Sequence, residues 1–317
     1  MRFLISIILL TVIVTSSCKY DSENEIEITE PQLFHISELS SASGVTMINS
    51  DLYIVGDDSP WLFKLDNTFN IVGQSQLSGI DSIVNGRVPG NIKADFECME
   101  KMNDSLLLVI SSGSYLDKRD TAYIFDVRNN KIIHKKNIRD LFEVIKKSML
   151  LPDENEINIE GLAISPEKIY LFHRGNITGN FIIEIDKNEW DHHFTYSGPV
   201  PAISTYMFDL PVYENVPSGF SGACYYHDGI IFTASMEDTS SEISDGEILG
   251  SYVGYIPLSD ITQGKYISTL LTRNNKALSK KLEGVYAYEF RGKKQLITVI
   301  DNDDGTSDII TMEFSIK

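Results

Sequence analysis

The chain has 317 residues, 42% of them hydrophobic and 23% charged, a composition that excludes a mainly disordered protein and allows one large domain or two modest ones. Its 45 acidic and 27 basic residues give a formal net charge of −18. That excludes extended docking on a nucleic acid polymer or an anionic lipid surface, which need basic patches, but not a small anion held by two arginines. Three cysteines exclude a disulfide framework and a cysteine-based zinc site.

From the N-terminus, Arg2 precedes an apolar stretch of 12 residues, Phe3 to Val14, broken only by Ser6 and Thr11. This falls short of the roughly 20 residues of a bilayer span and reads as the core of a signal peptide. Ser16, Ser17 and Cys18 follow, with Thr15 where leucine is usual. They resemble a bacterial lipobox, whose cysteine is lipidated and becomes the mature N-terminus; the alternative is an ordinary signal peptide with an incidental cysteine. The expected division is a lipoprotein signal peptide over 1–17, a polar tether over 18–27 and one folded domain over 28–317. Lys19 followed by Asp21, Glu23 and Glu25 is similar to the surface-export tether of some Gram-negative lipoproteins. The absence of aspartate directly after Cys18 leans away from inner-membrane retention. The expected location is therefore the outer membrane or cell surface of a Gram-negative bacterium, with the membrane reached only through a lipid anchor at Cys18. Cys98 and Cys224 sit in apolar company and read as small buried residues, not a redox pair.

The rest of the chain repeats. Five segments share Ser or Glu, then a small residue, then an apolar one: Ser43-Gly44-Val45, Glu97-Cys98-Met99, Glu160-Gly161-Leu162, Ser221-Gly222-Ala223 and Glu283-Gly284-Val285. The steps between the Ser/Glu positions are 54, 63, 61 and 62 residues. Each anchor precedes a hydrophobic strand pattern (Leu52 to Val55, Leu106 to Ile110, Ile169 to Phe172, Ile230 to Thr233, Leu296 to Ile300), which ends in a polar cluster. A third strand follows in each copy (Trp61 to Asp66, Ala122 to Val127, Phe181 to Asp186, Tyr252 to Pro257, Ile309 to Phe314). A weaker fourth appears in most copies, for example Lys131 to Asn137 and Tyr266 to Thr272. The enrichment in β-branched and aromatic residues fits strands. Four short strands per unit around an axis make an all-β, five-bladed propeller of four-stranded antiparallel blades. The last copy runs out of chain, so Pro31 to Ser37 is expected to close the ring from the N-terminal side. Between copies two and three, Leu141, Phe142, Ile145 and Met149 recur at helical spacing and predict an amphipathic helix over Arg139 to Leu150.

In a propeller the first strand of each blade lines the central channel, so Ser43, Glu97, Glu160, Ser221 and Glu283 should face one axis. None of the five positions is lysine or arginine. At about 5 Å and an effective dielectric of about 20, each carboxylate pair repels by roughly 3 kcal/mol. Three such pairs approach the stability of a domain, so protonation or a shared cation is expected. Oxygen donors without His or Cys suit Ca²⁺ before Mg²⁺. The alternative is that Glu-Gly merely marks the start of a strand, with its side chain satisfied by nearby backbone.

The order Ser, Glu, Glu, Ser, Glu on five repeats resembles the calcium-activated nucleotidase (apyrase-type) family. Phe220-Ser221-Gly222 resembles that family's Phe-Ser-Ser, Leu282 to Val285 its Tyr-Glu-Gly-Ile, and Tyr53 to Asp58 its Tyr-Ser-Val-Asp-Asp. Arg174 and Glu237-Asp238 fall where the family has an arginine and an acidic cluster, whereas Ser59-Pro60 replaces its Arg-Thr-Gly. The resemblance implies a five-bladed propeller with Ca²⁺ in the central channel. The chain is also similar to bacterial propeller lipoproteins of unassigned function, including relatives of esterase-like phytases.

The polar clusters share one face of the disc and supply Asp57, Asp58, Arg119, Arg174, Glu237, Asp238, Asp301 and Asp303. A metal-assisted phosphohydrolase could draw on them, with Arg119 and Arg174 as an anion clamp, Glu237 or Asp58 as general base, and Trp61 or Tyr115 stacking on a base. Any one of them can equally be a turn former or half of an ion pair, Arg174 with Asp58 or Glu237. His173, His192 and His193 lack metal-like spacing, and no Gly-x-Ser-x-Gly elbow occurs. Two functions stay open: a Ca²⁺-dependent hydrolase of a nucleotide or other phosphate ester, or a non-catalytic propeller that binds a small anionic ligand or a surface protein.

Overall fold

The computed structural model describes residues 25–80, 82–84, 86–115, 117–152, 154–175, 178–239 and 246–317. The signal stretch, Cys18, most of the tether and Asn176 lie outside them. Strands β1 (Ile26–Ile28) and β2 (Gln32–Ile36) come first. The first blade is β3 (Ala42–Ile48), β4 (Asp51–Gly56), β5 (Trp61–Leu65) and β6 (Ile71–Gln76), antiparallel in that order. The second is β7 (Phe96–Lys101), β8 (Leu106–Ser111), β9 (Thr121–Asp126) and β10 (Lys131–Asn137), followed by helix α1 (Arg139–Ser148). The third is β11 (Ile159–Ile164), β12 (Lys168–His173), β13 (Asn180–Asp186) and β14 (Ile203–Phe208), with α2 (Lys187–Tyr196) between its last two strands. A short β15 (Val212–Tyr213) leads into the fourth blade, β16 (Val216–Tyr226), β17 (Gly229–Asp238), β18 (Glu247–Pro257) and β19 (Ile267–Leu270). The small hairpin β20 (Thr272–Arg273) and β21 (Lys276–Ala277) precedes the fifth blade, β22 (Val285–Phe290), β23 (Lys293–Asp301) and β24 (Ser307–Ile316).

The fifth blade has only three strands of its own, and β2 supplies the fourth, pairing Leu33 with Ile310 and Ile36 with Ser307. The expected closure from Pro31 to Ser37 is therefore this strand. β1 continues the same edge, with Ile26 opposite Ile316. It takes in residues that composition assigned to the tether, because Ile26 is 4% exposed and joins the apolar cluster between blades four and five.

Period-two alternation builds the core. Each strand sends alternate side chains to opposite faces, and each blade is covered on both. On β4, Ile54 packs toward the fifth blade, while Tyr53 and Val55 pack toward the second. Five apolar clusters result, one in each gap between neighbouring blades. Helix α1 buries Leu141, Phe142 and Ile145 in the gap between blades two and three, as its spacing predicted. Helix α2 was not expected. The Asp186 carboxylate caps it by accepting the backbone N–H groups of Asn188 and Glu189, and Trp190 and Phe194 fill the same gap.

The glycine that follows four of the five anchors has a steric cause. A Cβ on Gly222 would lie 2.2 Å from the Glu283 carbonyl oxygen, and one on Gly284 would lie 2.4 Å from that of Ser43. The innermost strands touch backbone to backbone there, and only glycine permits it. The throat that remains on the axis has a volume of about 10 Å³. A wider cavity lies next to this throat, sharing Glu97, Glu160 and no other lining residue with it.

Candidate functional site

The anchors owe their direction to a repeated backbone irregularity. The ladders between the first two strands of blades one to four slip by one residue, and the skipped residues are Ser43, Glu97, Glu160 and Ser221. A bulged residue leaves the ladder and is re-aimed. In blade five Glu283 stands just before β22, its N–H donating to Val299 O. Asp95 adopts φ 58°, uncommon for a residue with a Cβ, as its carboxylate turns toward the axis.

Above the throat lies a cavity of about 350 Å³. Ser43, Glu97, Glu160 and Glu283 line it; Ser221 does not. The Ser221 hydroxyl lies 2.9 Å from Ser235 Oγ, which in turn lies 2.8 Å from Ser251 Oγ. Of the residues expected at the loop face, Asp57, Arg119, Arg174, Glu237, Asp301 and Asp303 also line the cavity. Asp58 stands behind the wall, bonded to Arg87, and Asp238 is exposed at the end of β17. Neither Trp61 nor Tyr115 lines it; Tyr115 lies under the Arg119 guanidinium, 5.6 Å from carbon to ring centre.

Sequence reasoning missed Arg87, Lys93, Asp95, Lys280 and Lys281. They correct the expectation that the channel carboxylates face one another without cations of the chain's own. Lys93 Nζ lies 2.5 Å from Asp57 and 2.7 Å from Asp95. Arg119 lies 3.0 Å from Asp95 and donates to Ser114 Oγ at 2.8 Å. Arg174, 1% exposed, is bonded to Glu237 and lies 3.7 Å from Glu160. Lys281 lies 3.1 Å from Glu283 and 3.8 Å from Glu237. Arg87, Lys93, Lys280 and Lys281 arrive from the loops leading into the innermost strands, so no anchor position carries them. Lys281, two residues before Glu283, was the available signal.

These pairs divide the carboxyls into two kinds. Burial works against the Asp95 charge, but Lys93 and Arg119 outweigh it and hold that carboxyl below its usual range. Glu97 goes the other way: burial, then the charges of Asp95, Glu160 and Asp57, raise it well above. Glu283 is also raised well above by burial, which Lys281 only partly offsets. Asp301 is pushed up to about 7, chiefly by burial, with Asp57 and Asp303 adding to it. Glu97 makes no hydrogen bond or ion pair among the described residues, and Glu237 Oε1 accepts no hydrogen bond. His173 is buried, takes the Asn158 N–H on Nδ1 at 3.0 Å, and is pushed down to about 4 by burial. It is a neutral packing residue.

A family model described as a family of unknown function, DUF6929, matches residues 38–314. A comparison with curated proteins finds no match. Solved structures of similar fold include the endo-arabinase of Bacteroides thetaiotaomicron, 12% identical with a TM-score of 0.52 over 90% of this chain and 96% of that one. The α-L-arabinofuranosidase PaAbf62A of Podospora anserina, solved with cellotriose, is 9% identical with a TM-score of 0.51 over 88% and 91%. The glutaminyl cyclase of Myxococcus xanthus is 9% identical with a TM-score of 0.47 over 92% and 98%. At such identities the likeness is one of fold.

Proposed function

As a member of the family of unknown function DUF6929, the chain takes no activity from its family's description, and we propose that it is a binding propeller whose charged mouth holds a small, strongly polar ligand together with Ca²⁺. One observation carries this reading. Among the described residues, eight carboxylates (Asp57, Asp95, Glu97, Glu160, Glu237, Glu283, Asp301 and Asp303) and six cations (Arg87, Lys93, Arg119, Arg174, Lys280 and Lys281) line one cavity, with apolar side chains only from Ile248 and Ile300. Such a wall rejects an apolar ligand, since its polar groups would lose their partners. The donors are oxygen, which suits Ca²⁺. Ser43, Glu97, Glu160 and Glu283 lining one cavity supports the axial Ca²⁺ that the resemblance to calcium-activated nucleotidases implies, without Ser221 as a direct wall residue. In this reading the protein is a surface or periplasmic lipoprotein held through Cys18, and its partner is a small anionic ligand or a surface protein.

Calcium-dependent hydrolysis of a phosphate ester is the second reading, favoured by Arg119, Arg174, Asp57 and Glu237 lining the same cavity. Binding is preferred because both guanidiniums already face carboxylates, so a phosphate would first have to displace Asp95 or Glu237. The deciding measurement is phosphate release from nucleoside di- and triphosphates and phytate, in Ca²⁺ and in chelator, beside the unfolding temperature in both. Calcium-dependent release lost in Arg174→Ala selects the hydrolase. No release from a protein that Ca²⁺ stabilises selects the binding propeller. No response to Ca²⁺ at all removes the cation from either reading.

A further inference from the structure

Within the mouth, the side toward blades one and two holds an arrangement that the axial ring does not explain. Carboxylate oxygens of Asp57, Asp95 and Glu97 lie within 4.8 Å of one another. The Lys93 ammonium stands beside them, 2.5 Å from Asp57 and 2.7 Å from Asp95. Asp95 is 2% exposed, and its second oxygen is fixed by Arg119 and Ser114. Its Oδ1, by contrast, meets the Lys93 ammonium at 2.7 Å and no other donor among the described residues. Glu97, at the bulge of β7, has neither a hydrogen bond nor an ion pair among the described residues. A carboxylate at the cavity wall that lacks a donor, as Glu97 does, keeps acceptor capacity that is ordinarily satisfied by something. Here three acidic side chains present oxygens to one small volume, and the charge standing between Asp57 and Asp95 is an ammonium on a flexible stem.

We propose that Asp57, Asp95 and Glu97 form a divalent-cation site for which the Lys93 ammonium stands in, and that Ca²⁺ entering the mouth displaces this ammonium toward the open side of the cavity. The inference rests on the reading of a cation in the mouth and moves it from the axis to the gap between blades one and two. Three hard oxygens and an open side suit Ca²⁺, whose remaining ligands are water or ligand oxygens. An ammonium and a divalent cation repel at contact distance, so the site holds one or the other. Lys93 is thus an internal competitor that sets how much Ca²⁺ the site requires. Once released it is a positive charge free to meet an anion, so a cation is bound first and an anionic ligand second.

Calorimetric titration with Ca²⁺ tests this on the mature chain and three variants. Lys93→Met removes the competitor and should tighten binding about tenfold or more, and Asp57→Asn should weaken it by a similar factor. A Lys93→Met protein that keeps the wild-type near-ultraviolet dichroism but binds Ca²⁺ no tighter overturns the proposal. Full affinity in Asp57→Asn with loss in Glu283→Gln places the cation on the axis, which overturns this inference and keeps the proposed function. No binding by any of the four overturns both. A measurement on the wild-type chain covers the case of a variant that does not fold: acetylation of Lys93, followed by mass spectrometry, should speed up severalfold on adding Ca²⁺. An unchanged rate in a protein that binds Ca²⁺ overturns the displacement.

Discussion

Glu100 lies three residues beyond Glu97 on β7, and burial pushes both carboxyls up. Glu100 is fully provided with donors: Thr46 Oγ1 at 3.0 Å, the backbone N–H of Lys101 at 2.8 Å and that of Tyr225 at 3.4 Å. These come from blades one, two and four, so Glu100 ties the ring together on the axis. Glu97 is given none, and it faces the cavity. The contrast separates a polar group that serves the fold from one left open for a ligand. A satisfied buried carboxyl stabilises, whereas an unsatisfied one keeps acceptor capacity that only an incoming donor or cation can use.

The comparison can be broken or sharpened in four ways, taken from the largest expected effect. Arg174→Ala leaves Glu160 and Glu237 without their buried guanidinium and should lower unfolding free energy by about 4 kcal/mol in urea titration. A loss under about 1 kcal/mol would mean that the mouth's pairs serve binding alone. Glu100 should show itself in the pH dependence of stability. Its pKa is about 7 folded against 4.5 in the reference state, so the folded chain binds more protons between those values. Stability should therefore fall as pH rises through that window, by roughly 3 kcal/mol in total, and Glu100→Gln should remove that part of the slope. If the slope is unchanged in Glu100→Gln, the contrast drawn above fails. Gly284→Ala puts a Cβ against the Ser43 carbonyl and should cost about 2 kcal/mol or more, whereas Gly73→Ala, 3.7 Å from Lys64 Cβ, should be nearly silent. Lys317→Ala breaks a solvent-exposed pair with Glu27 and should leave the unfolding temperature nearly where it was.

How much of this was legible varies with how local its cause is. The blades could be read because each strand declares itself by alternation and each anchor glycine by a steric need that recurs at Gly44, Gly161, Gly222 and Gly284. Blade closure by β2 followed from counting strands. Helix α1 showed in the spacing of Leu141, Phe142 and Ile145, but α2 holds only Trp190 and Phe194 as an apolar pair in its ten residues, and its cap at Asp186 passed as a strand end. The four anchor positions that reach the cavity were visible as a register. Of the cations, Arg119 and Arg174 could be named from the polar clusters, but Lys93 and Arg87 could not, since they arrive from a long irregular loop whose path no periodicity describes. Ser221 matched the pattern in sequence, yet its hydroxyl is turned aside by Ser235, a neighbour known only from the pairing of β16 with β17.

The seam between β24 and the two N-terminal strands also governs the order of folding. Residues 27 and 317 meet across 290 positions of chain. Joining two points so far apart in a flexible polymer carries an entropy on the order of 5 kcal/mol, well above that of a hairpin turn. The first four blades can assemble from neighbouring segments as each becomes available, but the fifth stays one strand short until the two ends find each other. Until then β24 presents an unpaired edge, a template for another molecule's strand. The slow, concentration-sensitive step of refolding should therefore be the closing of this seam, with swapped dimers joined through β2 as its characteristic failure.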